Sequence, residues 1–112
     1  MILAKTQSNR LGYGSSGIRF STFGAMDIDE WRMRIDALTD EIIALLNKRA
    51  EFATKIGLLK KEHGLPVFDA AREKSVLDAV AEKASQAGGP LSPESVQKIF
   101  QVIMEETRKV EE

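Results

Sequence analysis

The stretch "LLNKRAEFATKIGLLKK", residues 45–61, places apolar side chains at Leu45, Phe52, Ile56 and Leu59, the beat of a helix that buries one stripe. Upstream the same beat takes in Ile35, Leu38 and Ile42. Counting in sevens from Ile35 gives Ile42, Arg49 and Ile56, so an arginine stands where its neighbours along the seam are isoleucine. Lys60 follows Arg49 by eleven residues, close to three full turns, and points the same way. Two accounts of Arg49 stand at this point. Its stem packs on the seam while its head reaches water, or it serves a buried anion site, where a cation needs partners.

With 112 residues the chain is long enough for one domain and too short for two. It has no cysteine, which excludes a disulfide framework and thiolate metal sites, and its single histidine leaves no His cluster for zinc. The net charge of −1 hides an asymmetry: all 17 acidic residues but only 13 of the 16 basic ones lie in residues 27–112. An acidic body argues against a nucleic-acid binder, whose affinity comes from clustered Lys and Arg. No run approaches the roughly 18 apolar residues of a membrane span, and the cytoplasm is the expected location.

Residues 1–25, "MILAKTQSNRLGYGSSGIRFSTFGA", contain half of the eight glycines and show neither helical nor strand period. They lack the apolar core of a secretory signal, and their Ser, their Arg and their want of acids faintly suggest a transit peptide. An artificial leader, or a start placed too far upstream of Met26, explains the same composition. The segment reads as a flexible leader, with the domain in residues 26–112. Within it "GYGSSG" matches G-x-G-x-x-G, but no strand precedes it and no helix follows, so it carries no dinucleotide site.

From Met26 the texture is helical. Asp27 with Glu30 resembles a capping box, and periodicity runs from about Asp29 to Glu62, where Gly64 and Pro66 stop it. A helix over that span is about 50 Å long. A second helix fits Asp69 to about Gln86, with Asp69 as N-cap and Val76, Leu77, Val80 and Ala84 inward. The third starts at Ser92-Pro93-Glu94 and shows Val96, Ile99, Phe100, Ile103, Thr107 and Val110 on one stripe. No segment alternates with period two. The pattern predicts an all-α chain of three helices, one very long. A long seam flanked by short helices is usually completed by another copy, which predicts a helical homodimer.

The charged residues point to function. Arg72 and Glu73 fall in the first turn of the second helix, beside Asp69, where an arginine opposes the helix dipole. Arg49, Lys60 and Arg72 around one cavity suit a small dianion, since Arg grips carboxylates in a fork and Lys supplies a point charge. Glu73 would receive a hydroxyl or hold one of the cations. Arg32 precedes Arg49 by 17 residues, which on a helix is about 25 Å away and about 100° round. One small ligand cannot touch both within one chain. Either Arg32 is an exposed arginine near a helix start, or it serves the site of a second, antiparallel chain.

From Trp31 onward the sequence resembles the small all-helical chorismate mutases. The resemblance rests on "RMRIDALTDEIIALLNKRAEFATKIGLLK", "PVFDAARE" and "IFQVIMEETRKVE". It implies an intertwined dimer of three-helix chains with two equivalent active sites, each borrowing one arginine from the other subunit. By resemblance Arg32 is that arginine. Arg49 and the second chain's Arg32 would bind the two carboxylates of chorismate, with Arg72 assisting. Lys60 would contact the ether oxygen whose bond breaks, and Glu73 with the backbone at Asp69 would hold the ring hydroxyl. Thr107 stands where the family usually has serine. Glu111 stands where it often has glutamine, at a second contact to the ether oxygen. A carboxylate there repels the charge that grows on that oxygen, so Glu111 has to be protonated to donate, and activity should fall as pH rises. Glu112 and the helix C-terminus close by favour the neutral form.

The rearrangement to prephenate implies no cofactor or metal. The same fold also supports isochorismate pyruvate elimination, and a non-catalytic helical dimer that binds a pathway metabolite is a third reading. The expected partners are chorismate, a second copy, and an enzyme of the aromatic pathway.

Overall fold

The computed structural model describes residues 26–112; what the sequence suggests for residues 1–25 lies outside the described residues. Those described form three helices and no strand: α1 (Ile28–Glu62), α2 (Ala70–Ala87) and α3 (Pro93–Glu111). Among the described residues no helix is long and apolar enough to cross a membrane.

Local chemistry sets each boundary. At the start of α1 the Glu30 N–H donates to Asp27 Oδ1 at 2.9 Å, and the Asp27 N–H donates to Glu30 Oε1 at 3.0 Å. This is the reciprocal capping box, two orphan donors satisfied by one pair of side chains. At the far end Gly64 takes φ +67°, which lets the Leu65 N–H reach the Lys60 carbonyl at 2.8 Å and the Gly64 N–H reach Lys61 at 3.3 Å. That pair of bonds is a Schellman stop, and glycine is the residue that enters it without a Cβ penalty. Asp69 caps α2 by accepting from the Arg72 N–H at 2.9 Å, and Ser92 caps α3 by accepting from the Ser95 N–H at 3.0 Å, with Pro93 at the first helical position.

The chain divides into two units between Glu41 and Ile42, and α1 contributes residues to both. In the first, Trp31, Ile35 and Leu38 are exposed, and the Arg34 guanidinium lies 5.8 Å from the centroid of the Trp31 ring. In the second, α2 packs on α3, and Val76, Leu77, Val80 and Ala84 form its half-buried face. The Gln97 amide donates to the Leu77 carbonyl at 3.0 Å across that contact. Ala53 (7% exposed) and Met104 (6%) are the buried hydrophobic residues among those described.

That core is small because much of the stripe on α1 is uncovered. Ile42, Leu45, Phe52, Ile56 and Leu59 in the second unit all remain exposed. Fully burying an aliphatic or aromatic side chain contributes about 1.5–3 kcal/mol, so completing these five is worth on the order of 5 kcal/mol. That matches the lower end of a whole domain's net stability.

Gly57 is buried for a different reason. A Cβ added there would lie 2.5 Å from the Glu111 carbonyl oxygen and 2.7 Å from its Cα, so α1 and α3 come together backbone to backbone. Replacing glycine by alanine inside an exposed helix gains about 1 kcal/mol. Here the clash is with backbone, which cannot swing aside, and overpacking costs about 1–3 kcal/mol. Gly57→Ala is therefore expected to lower the denaturant midpoint, measured by circular dichroism at one fixed protein concentration, instead of raising it.

Candidate active site

A cavity of about 400 Å³ opens in the second unit, within the range that takes a small metabolite. From α1 it is lined by Arg49, Phe52, Ala53, Ile56 and Lys60. Val67 and Asp69 come from the α1–α2 connection, Arg72, Glu73 and Val76 from α2, and Met104, Thr107 and Glu111 from α3. Seven of the eight residues singled out from the sequence thus meet at one place. The eighth, Arg32, lies in the first unit, where its side chain is 72% exposed and stands 4.0 Å from Asp29.

Arg49 is half-buried, and its Nη1 donates to Thr107 Oγ1 at 3.3 Å. The Thr107 hydroxyl in turn donates to the Ile103 carbonyl at 2.8 Å, one helical turn back. Threonine's single O–H is thereby committed to its own helix, and its oxygen presents lone pairs to the arginine. Lys60 Nζ lies 2.6 Å from Glu111 Oε1 and 2.6 Å from the Val67 carbonyl, with the two side chains only 17% and 15% exposed. The sequence reading set Lys60 and Glu111 side by side on one ligand oxygen; here they hold each other.

Glu73 is also engaged. Arg108 Nε donates to its Oε2 at 3.1 Å and Nη2 to its Oε1 at 2.9 Å. From the sequence Glu73 was expected to receive a hydroxyl or to hold one of Arg49, Lys60 and Arg72; the cation it holds is Arg108. No periodicity could have found it, because the partners lie 35 residues apart on different helices. The one local hint is that Arg108 stands in the last turn of α3, where a cation suits the helix dipole.

Charge then balances in a telling way. The cavity holds three cations and three carboxylates. Glu111 is taken by Lys60, Glu73 by Arg108 from outside the lining, and Asp69 by the Arg72 backbone N–H. Among the described residues neither Arg49 nor Arg72 has a carboxylate partner for its guanidinium. Two guanidiniums free of carboxylates line the one cavity, Arg49 half-buried and Arg72 exposed, and guanidinium is the cation whose fork fits a carboxylate. No group of three or more His, Cys, Asp or Glu that could hold a metal ion occurs among the described residues.

Residues 31–112 match the family model for chorismate mutase type II. The chain belongs to that family. It is 32% identical over 80 residues to the T-protein of Haemophilus influenzae, covering 71% of this chain and 21% of that protein. It is 39% identical over 80 residues to the bifunctional chorismate mutase/prephenate dehydratase of Neisseria gonorrhoeae, again covering 71% of this chain and 21% of that one. The chain thus spans about a fifth of the length of these relatives. Among solved structures it resembles chorismate mutase (form II) from Thermus thermophilus, with a TM-score of 0.70, 31% identity, and coverage of 75% of this chain and 92% of that one.

The two guanidiniums predict that a small dicarboxylate stabilises the folded protein. At ten times its dissociation constant it should raise Tm by about 5 °C. The shift should disappear in Arg49→Ala, read by thermal unfolding at equal protein concentration.

Proposed function

We propose that this chain is a chorismate mutase, converting chorismate to prephenate. The observation that carries the reading is the pair of carboxylate-free guanidiniums, Arg49 and Arg72, beside Lys60 in the cavity of a chain that belongs to this family. The reaction breaks one C–O ether bond and forms one C–C bond within a single molecule, through a cyclic transition state. It requires no nucleophile, so the protein's work is conformational and electrostatic. Arg49 and a second copy's Arg32 grip the two carboxylates, with Arg72 assisting, and hold the substrate with its reacting ends together. Lys60 donates to the ether oxygen as negative charge grows there. Glu73 accepts from the ring hydroxyl, which the backbone at Asp69 helps to hold, and Thr107 braces Arg49.

In this reading the site is completed by Arg32 of a second copy in an intertwined homodimer. Three observations support it: the cavity lining does not include Arg32, Arg32 is exposed, and the apolar side chains along α1 lack cover in the single chain. The name of the Neisseria relative, a mutase joined to a dehydratase, supports an enzyme of the same pathway as a partner.

Chorismate loss followed by ultraviolet absorbance tests the activity. Arg49→Ala and Arg32→Ala should each lower kcat/KM by about a hundredfold or more, the usual cost of removing one preorganised donor to developing charge. Co-expressed, the two variants should recover about a quarter of wild-type activity, because random pairing gives mixed dimers with one intact site. No recovery would place Arg32 outside the site. Turnover of isochorismate to salicylate with none of chorismate would reassign the reaction.

Glu111 tempers Lys60. Its carboxylate lies 2.6 Å from the ammonium, so it offsets the charge that Lys60 brings to the ether oxygen. Glu111→Gln keeps the shape and removes the negative charge, and is expected to raise kcat/KM about tenfold at neutral pH. An unchanged kcat/KM in that variant removes Glu111 from the mechanism.

A further inference from the structure

We infer that Arg108 is a positioning residue for this site, acting through Glu73 from outside the cavity, with Phe68 as its brace. The inference rests on the reading that Glu73 accepts the ring hydroxyl of a dianionic substrate.

Arg108 is not among the cavity-lining residues, whereas Glu73 is. The two meet fork to fork at 3.1 and 2.9 Å, with side chains 30% and 24% exposed. The guanidinium carbon of Arg108 lies 4.6 Å from the centroid of the Phe68 ring. Arg108 is thus held between a carboxylate on α2 and an aromatic face on the α1–α2 connection, so its planar group has little freedom to turn.

This arrangement does two things for Glu73. The first is electrostatic. A bare carboxylate in a cavity that receives a dianion would repel it, and a guanidinium at 2.9 Å cancels that repulsion without entering the binding space. The second is geometric. An ionised carboxylate has about four lone-pair positions, and a bidentate arginine takes two of them. The others stay available to a hydroxyl, on a group whose plane Arg108 fixes. A carboxylate free to rotate would accept the same hydroxyl after losing rotamer entropy, and would hold the ring less well.

A tie between α3 and α2 that serves stability alone is the competing account of the same contacts. Both accounts predict a lower Tm when Arg108 is removed, so stability does not separate them. Kinetics does, because the positioning role requires Glu73 and splits by substituent. Arg108→Leu should lower kcat/KM by about tenfold to a hundredfold, the range of a hydrogen-bonded charge pair. Arg108→Lys keeps the charge without the fork, so it should restore KM and leave kcat reduced. In the Glu73→Gln background, which has no carboxylate to orient or neutralise, Arg108→Leu should change kcat/KM by less than about twofold.

The test is chorismate turnover by wild type, the three single variants and the Glu73→Gln/Arg108→Leu double variant, each at a temperature where circular dichroism shows it folded. Should Arg108→Leu not fold, Arg108→Lys alone and combined with Glu73→Gln carries the same comparison. Full activity in the Arg108 variants, or losses that multiply in the double variant, overturns the inference and leaves the mutase reading intact. A wild-type protein that does not consume chorismate overturns that reading instead.

Discussion

A guanidinium on the apolar stripe of a helix is the constraint from which the site follows. Arg49 interrupts a run of isoleucines, and its cation has to be met by something other than hydrocarbon. The structure meets it with a threonine oxygen whose hydrogen is already committed to its own helix. That interaction is neutral and weak, so it holds the arginine in place without cancelling its charge. A carboxylate partner would have made a tighter contact and a poorer anion receptor. Keeping a cation unneutralised in partial burial costs stability, and such costs concentrate where binding is needed.

The other charges are arranged around the same principle. Lys60 and Glu73 are neutralised by their neighbours, while Arg49 and Arg72 have no carboxylate partner, so the cavity's uncompensated positive charge lies on those two guanidiniums. Distributed positive charge would attract any anion. Charge confined to guanidinium forks suits carboxylates above other anions. Backbone contact at Gly57 brings α3 close enough to α1 for Glu111 to reach Lys60, which links a missing Cβ to the electrostatics of the site.

Much of this was legible in the sequence wherever the cause is local. Asp27, Gly64, Asp69 and Ser92 announce helix ends because caps are made within three or four residues, and the structure puts the boundaries within a residue or two of the expected ones. Arg49, Lys60, Arg72 and Glu73 stood out because each conflicts with its surroundings or clusters with others that do. The family resemblance supplied Thr107 and Glu111, which periodicity alone would have left on a helix face. What stayed hidden is what depends on one helix meeting another. By spacing alone Arg108 is one more basic residue in a last turn, Phe68 an aromatic between helices, and Gly57 a glycine inside a long helix. Their partners lie 35 or more positions away or are backbone atoms, and neither leaves a mark on spacing.

The stop at the end of α1 has a consequence for Lys60. By reversing the chain at Gly64 it returns the Val67 carbonyl to within 2.6 Å of the ammonium, opposite in sequence to the grip of Glu111. An ammonium has three hydrogens arranged as a tripod. With two legs anchored, the head can no longer spin, and the third hydrogen has one direction left to point. A flexible four-carbon chain thereby ends in a stationary compass needle, set before any ligand arrives.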